Sequence, residues 1–257
     1  MVLPVFYGIF AGAAGGVVYA GYFAGGASST TVDKFAFSDD SRTTLGTGLS
    51  ASTNELAAMA NSGTAGYTGG GNASGLTTTV NKFLFVDDSR TTLGTGLSAA
   101  RTSLAAMANS GTAGYFGGGN SSGTTVDKFA FSDDSRTTLG TGLSSARGDK
   151  LGGMANSGTA GYFGGGYTPI ITTVDKFAFS DDSRSTLGTG LSAATRYLAA
   201  MANSGTAGYF GGGRDAADPV ATVDKFAFPS DSRSTLGTGL SSDRATLAGM
   251  ANAEGLA

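Results

Sequence analysis

The sequence contains no cysteine, no histidine and no tryptophan. Without cysteine there are no disulfides, no thiol nucleophile and no iron–sulfur ligation. Without histidine the commonest general base and the commonest transition-metal ligand are missing. Charge is also sparse: 14% of residues are charged and the net charge is −3. No basic patch stands out, so a nucleic-acid backbone is not an expected partner. Only 4 of 257 residues are proline while 44 are glycine, and the glycines fall in a strict repetition that is neither collagenous nor that of a disordered tract.

The chain does contain one segment written five times. The valine of "TVDKFAF" falls at Val32, Val80, Val126, Val174 and Val223, at steps of 48, 46, 48 and 49. The leucine of "LAAMAN" falls at Leu56, Leu104, Leu151, Leu198 and Leu247, at steps of 48, 47, 47 and 49. Each unit divides into four short runs; around residue 103 they read "SLAAMAN", "TAGYFGGG", "TTVDKFAF" and "TTLGTGLS". Runs of this length between Gly, Asn, Ser and Asp clusters are strands, and the glycines inside them oppose a helix. "NSG" fits a tight hairpin and "SDDSR" a longer one.

Four antiparallel strands in about 48 residues is the size of a propeller blade. Alternation along a strand sends Tyr and Phe of "TAGYFGGG" to opposite faces, so each sheet is expected to be covered on both sides. The Ala-rich "LAAMAN" run suits an innermost strand. The units are out of phase with the chain: it opens on a "TAGYFGGG"-type strand, Tyr19–Gly26, and finishes on a "LAAMAN"-type strand, Thr246–Asn252. The expected fold is therefore all-β, a five-bladed propeller over 19–252 whose last blade is completed by pairing those two strands, which leaves no open edge. An open or intermolecularly completed assembly is the alternative.

The order "R…LAAMANSGTAGYFGGG…TTVDKFAF…TTLGTGLS" resembles the kelch repeat over about nine-tenths of the chain. The family's glycine pair matches Gly69–Gly71, Gly117–Gly119, Gly164–Gly166, Gly211–Gly213 and Gly25–Gly26. Its arginine matches Arg101, Arg147, Arg196 (one place later) and Arg244, with Thr53 in the remaining unit. Its third-strand aromatic matches Phe35, Phe83, Phe129, Phe177 and Phe226. The family's tryptophan is absent, and five units are fewer than its usual six or seven. The wording is also similar to uncharacterised repeat proteins of bacteria and bacteriophages, and the likeness of the copies points to recent duplication or design. The resemblance implies a fold; the family's functions range widely.

The copies differ in two of their four connections. The second-to-third-strand loops read "ASST" (27–30), "NASGLT" (72–77), "NSSG" (120–123), "YTPII" (167–171) and "RDAADPVA" (214–221). The fourth-to-first connections read "SASTNE", "SAARTS", "SSARGDK", "SAATRY" and "SSDRAT". Both kinds lie on one face of an up-and-down sheet, and recognition usually sits on loops of a rigid scaffold. The expected function is non-enzymatic binding of a glycan or protein, as a virion or extracellular, cell-surface component, with Tyr167, Arg214, Asp215, Arg101, Arg147 and Arg196 as ligand-binding candidates. The competing reading is drift in a structural assembly subunit or a repeat scaffold with no ligand.

No catalytic set, cofactor or metal is expected. The serines lack a histidine partner. The Asp pair Asp39–Asp40 of "DDSR" and its copies are equivalent and do not supply the two unlike carboxyls a glycosidase needs, which leaves a carboxylate hydrolase as a weak third reading. The same pairs match no EF-hand, and turn capping with charge compensation from the following Arg explains them better than calcium. The Asp–Lys of "VDKF" is expected as a solvated or inter-blade pair, and the Asn of "MAN" as a turn former or a ring at one channel mouth. Asn72-Ala73-Ser74 and Asn120-Ser121-Ser122 match the glycosylation sequon. Residues 1–18 are apolar, without the basic start of a signal peptide, and a membrane span there would consume the closing strand. A decayed "LAAMAN" strand, a plug on the disc or a self-association arm is expected there, with a secretion signal as the lesser alternative, and residues 253–257 form a tail.

Overall fold

The computed structural model of the chain describes residues 11–13, 17–26, 29–120, 123–148, 150–167 and 169–249. They form five four-stranded antiparallel sheets and no helix, a propeller-like arrangement. The first sheet holds β1 (Ala11–Ala13), β2 (Val17–Ala24), β3 (Val32–Ala36) and β4 (Arg42–Thr44). The second holds β5 (Ala57–Asn61), β6 (Ala65–Gly69), β7 (Val80–Leu84) and β8 (Arg90–Thr92). The third holds β9 (Ala105–Asn109), β10 (Ala113–Gly117), β11 (Val126–Ala130) and β12 (Arg136–Thr138). The fourth holds β13 (Gly152–Asn156), β14 (Ala160–Gly164), β15 (Val174–Ala178) and β16 (Arg184–Thr186). The fifth holds β17 (Ala199–Asn203), β18 (Ala207–Gly211), β19 (Val223–Ala227) and β20 (Ser232–Thr235). Order within each sheet follows the chain.

The outer strands are shorter than the runs that encode them. "TTLGTGLS" leaves the ladder after its threonines, and its second glycine then lies against backbone, where no side chain fits. A Cβ on Gly142 would lie 2.1 Å from the Thr124 carbonyl oxygen, and on Gly96 2.3 Å from that of Thr78, whereas Gly140 and Gly94 have nothing within 4 Å. Gly142→Ala should therefore lower stability by about 1–3 kcal/mol, the usual penalty of overpacking, while Gly140→Ala leaves it within about 0.5 kcal/mol. Urea unfolding of the two variants measures this; equal midpoints would remove the steric account.

Neighbouring sheets grip each other through both faces. Tyr115 of β10 stacks on Phe179 of the fourth sheet at 5.4 Å, while its neighbour Phe116 turns back onto Gly69 of the second. Tyr67–Phe131 and Tyr162–Phe228 repeat the stack, and Phe163 on Gly117 and Phe210 on Gly164 repeat the ring-on-glycine contact. Where the sequence departs from this pattern it departs in both partners. The first sheet carries Ala24 in place of the glycine, and the second carries Thr68 in place of the phenylalanine.

The "DDSR" turn divides its labour in a way the sequence reading did not separate. The first aspartate caps its own turn: Asp39, Asp87, Asp133 and Asp181 each accept the backbone N–H of the serine two residues on, at 3.0 Å. The serine's hydrogen bonds hold all four carboxyls below the usual range. The second has a positive φ and leaves the turn for the preceding sheet. Asp88 accepts Tyr22 Oη and Lys34 Nζ, both at 2.7 Å; Asp134 accepts Tyr67 and Lys82, Asp182 Tyr115 and Lys128, and Asp231 Tyr162 and Lys176. The lysine of "VDKF" is thus an inter-sheet partner, but of the turn aspartate; the aspartate beside it takes an arginine of its own sheet, so the expected Asp–Lys pair does not form. The following arginine does not compensate its own turn but folds back to the third strand, as Arg42 does to Asp33 at 2.9 Å. On the same side the "MAN" asparagines link neighbours: Asn61 accepts Gly111 N–H, Asn109 Gly158 and Asn156 Gly205 at 2.7–2.9 Å.

The first sheet is the exception. β1 pairs with the start of β2, Ala11 opposite Tyr19 and Ala13 opposite Val17. So an inner strand does lie within residues 1–18, as one expectation for that segment had it, but its register covers only 17–19. Among the described residues Ala20–Ala24, the counterpart of Ala65–Gly69, pairs only with β3. The five sheets are separate, and of the expected closing strand Thr246–Gly249 is described but assigned to no strand, while 250–252 and the tail 253–257 lie outside the described residues.

Candidate functional site

The two varied connections of a sheet meet in the second, fourth and fifth sheets, which puts their variation on one face. Asn54 and Asn72 exchange backbone hydrogen bonds at 2.9 and 3.1 Å, Arg196 and Arg214 at 2.7 and 3.0 Å, and Gly148 N–H reaches Tyr167 O at 2.8 Å. Towards the centre this face sinks into a recess of about 370 Å³, lined by one residue pair from every repeat: Glu55–Leu56, Ser103–Leu104, Lys150–Leu151, Tyr197–Leu198 and Thr246–Leu247, with Ala24 and Gly26 of the first sheet. The leucine is invariant among the repeats and the residue before it is different in each.

Backbone hydrogen bonds carry that rim residue from repeat to repeat: Ser103 N–H to Glu55 O, Tyr197 to Lys150 and Thr246 to Tyr197, at 2.9–3.0 Å. Glu55, Ser103, Tyr197 and Thr246 sit there at φ between 52° and 58°. That left-handed conformation is unfavourable for a tyrosine or a β-branched threonine. The repeats keep side chains at a position glycine would fill with less strain, and such strain collects at functional sites.

On one side of the rim cations and rings alternate. Lys150 Nζ lies 5.8 Å from the Tyr197 ring centre, Arg196 lies 5.2 Å from the same ring, and it lies 4.4 Å from Tyr167, which is 40% exposed. Across the mouth Glu55 accepts Thr102 Oγ1 at 2.7 Å and Ser103 Oγ at 3.1 Å through one carboxylate oxygen. The arrangement offers aromatic faces, cations and a carboxylate around an apolar floor.

Of the six sequence candidates, Tyr167 and Arg196 come together here. Arg214 and Asp215 stand farther out on the same face: Arg214 Nη2 donates to Ala217 O at 2.7 Å, and Asp215 accepts the N–H groups of Ala217 and Asp218 at 2.8 Å, which lower its pKa and tie it to its own loop. Arg101 and Arg147 correct the expectation. Both are fully buried, paired with Asp127 (2.6 Å) and Asp175 (2.5 Å), and donate to main-chain carbonyls such as Phe116 O and Phe163 O. Burial pulls both guanidinium pKa values below the ordinary arginine value and the aspartates work the other way. They bind the third strand of their own sheet and present nothing to a ligand. Glu55, Lys150 and Tyr197 were missed as individuals, although the varied connections containing them were singled out; the signal was a single variable column before an invariant leucine. Of the two sequons, Asn72 accepts Gly75 N–H at 2.9 Å within its loop, and 121–122 lie outside the described residues.

No protein-family model and no curated protein matches the chain.

Proposed function

We propose that the chain is a non-enzymatic binding module, a kelch-like propeller whose five sheets close into a ring and whose varied face takes a glycan or a protein segment at the central recess. The observation that carries this reading is the rim column: five different side chains, four of them at a left-handed backbone, around one cavity built from all five repeats. The size suits a terminal sugar or a short peptide end. Tyr197 and Tyr167 supply flat apolar surface, Lys150 and Arg196 the cations, and Glu55 an acceptor. Supporting closure, the recess joins Ala24 and Gly26 of the first sheet with Thr246–Ala248 at the other end of the chain. A structural assembly subunit is the second reading, favoured by the complementary unfilled edges of the first and fifth sheets.

A glycan array and a peptide array probed with the full chain test the function. Binding is expected, with Tyr167→Ala, Lys150→Ala and Arg214→Ala each weakening it, Lys150→Ala by about tenfold or more, as for a central contact. An affinity unchanged in all three would remove the face from the function, and silence on both arrays would favour the assembly reading.

A further inference from the structure

Every internal junction between sheets is built from the same parts, and the first and fifth sheets each carry one unmatched half of it. A tyrosine and a lysine of one sheet reach the second turn aspartate of the next, the tyrosine ring stacks on a phenylalanine of that next sheet, and, at every junction but the first, where Ala24 and Thr68 stand instead, a phenylalanine of the next sheet sits on a glycine. Among the described residues Tyr209, Lys225 and Asp40 lack the hydrogen bonds their counterparts make. Phe37 is 44% exposed where Phe85, Phe131, Phe179 and Phe228 are 4–8%. Phe23 is 60% exposed where Phe116, Phe163 and Phe210 are 0–2%. A Cβ on Gly211 would meet only its own sheet's Val223, where Gly69, Gly117 and Gly164 each hold a ring.

The fifth sheet presents a groove of about 250 Å³ lined by Ala199, Met201, Tyr209, Val223, Leu240 and Leu247. Their counterparts Ala57, Met59, Tyr67, Val80, Leu97 and Leu104 pack with Phe116, Phe129 and Phe131 of the following sheet in one core cluster. The first sheet holds Phe23, Phe35 and Phe37 at those three positions. The same holds at the buried ion pair. Arg101 and Arg147 reach Asp127 and Asp175, whose carboxylates also accept from Ser98 and Ser144. After the fifth sheet, Arg244 and Ser241 continue that series, and among the described residues the Arg244 side chain donates only to Ser241 Oγ, at 3.3 Å. Asp33 of the first sheet, which is in the position of Asp127, stays 31% exposed.

We infer that this groove is the docking site for the first sheet of the same chain: Phe23 seats on Gly211, Phe37 stacks on Tyr209, Asp40 accepts Tyr209 Oη and Lys225 Nζ, and Asp33 receives Arg244. The occupant is named by the four junctions already formed, all of which use the same tyrosine, lysine, aspartate and stacked phenylalanine, and three of which use the same ring on glycine. A second copy would fit the same groove chemically, but Ala24 and Thr246–Ala248 already share one recess within a single chain, which makes the chain's own first sheet the near partner. The inference rests on the closed-ring reading and deepens it by giving the contacts that close it.

Carbodiimide coupling tests it on the full native chain, since it joins only a carboxylate and an ammonium already in contact. Lys34–Asp88, Lys82–Asp134, Lys128–Asp182 and Lys176–Asp231, at 2.6–2.7 Å, are built-in standards. An Asp40–Lys225 link within about twofold of their yield is expected, confined to single chains when labelled and unlabelled protein are mixed. A link found only between labelled and unlabelled chains makes the occupant a second copy and overturns the inference. Because the chain has no cysteine, spin labels at Ser41→Cys and Ser232→Cys separate the remaining outcomes, with Ser89→Cys and Ser135→Cys as a neighbour-pair reference. A neighbour distance without the Asp40–Lys225 link sinks these contacts and spares the ring; a longer distance sinks both.

Discussion

Arg147→Thr alone is expected to destabilise the protein by about 3–5 kcal/mol, the cost of leaving one member of a buried ion pair without its partner. Asp175 has no exposure to water, and Arg147 Nη2 is its only buried cationic contact; Arg184, one-quarter exposed, lies 3.6 Å from the other oxygen. Removing the guanidinium also strips Phe163 O of a donor. Arg147→Thr combined with Asp175→Asn should recover most of the loss. The chain itself supplies the precedent: in the second repeat the arginine is Thr53 and the aspartate is Asn81, both buried, and Asn81 is instead satisfied by Arg90 at 3.3 Å and Thr92 at 3.0 Å. A double-mutant cycle by denaturant unfolding reads the coupling directly. Additive losses would mean that the pair contributes no specific interaction and that the double change in the second repeat is a coincidence.

The second large effect is alkaline. Tyr22, Tyr67, Tyr115 and Tyr162 have their pKa values pushed well above that of an ordinary tyrosine, first by burial and then by the hydrogen bond and charge of Asp88, Asp134, Asp182 and Asp231. Below about pH 10 a tyrosine is protonated in both folded and unfolded chains and contributes no pH dependence. Above it the unfolded chain ionises and the folded one does not, so the stabilisation is lost as pH rises. Each held-back tyrosine removes about 1.4 kcal/mol per pH unit. That slope is reached only well above the unfolded pKa, so four together lower stability by about 4 kcal/mol between pH 10 and 11, a large share of an ordinary domain's total. Absorbance at 295 nm and the β-sheet circular dichroism should therefore change in one cooperative step for these residues. A smooth titration of all nine tyrosines near pH 10 with the sheet signal intact would contradict the clamp geometry.

The five-sheet architecture was legible because each strand is bounded by residues with few conformational choices. The glycine pair at 118–119 takes φ of 68° and 95°, and the "NSG" and "SDDSR" turns recur nearly unchanged. The assignment of faces was legible too, since Tyr115 and Phe116 are consecutive and must point opposite ways. The role of Arg101 was not, because an arginine entering a strand reads as a loop cation and its partner Asp127 lies in another run of the same repeat. The readable sign was that Thr53 and Asn81 change together. The two aspartates of "DDSR" defeated sequence reading for a similar reason: they are the same residue side by side, and only the positive φ of the second turns it toward a tyrosine more than 60 residues earlier. Register in the first sheet was illegible because the apolar start of the chain has no "LAAMAN" wording to align.

The exchange of alanine for glycine at Ala24, answered by threonine for phenylalanine at Thr68, has a bearing on how such a chain can be rearranged. Copying the third repeat over the second would drive an aromatic ring against the Ala24 methyl. Copying the second repeat over the third would leave the bare backbone of Gly69 facing a threonine too small to cover it. Units that look interchangeable on the page are therefore addressed to their neighbours, and the grain of recombination in this molecule is the junction between two repeats, not the repeat.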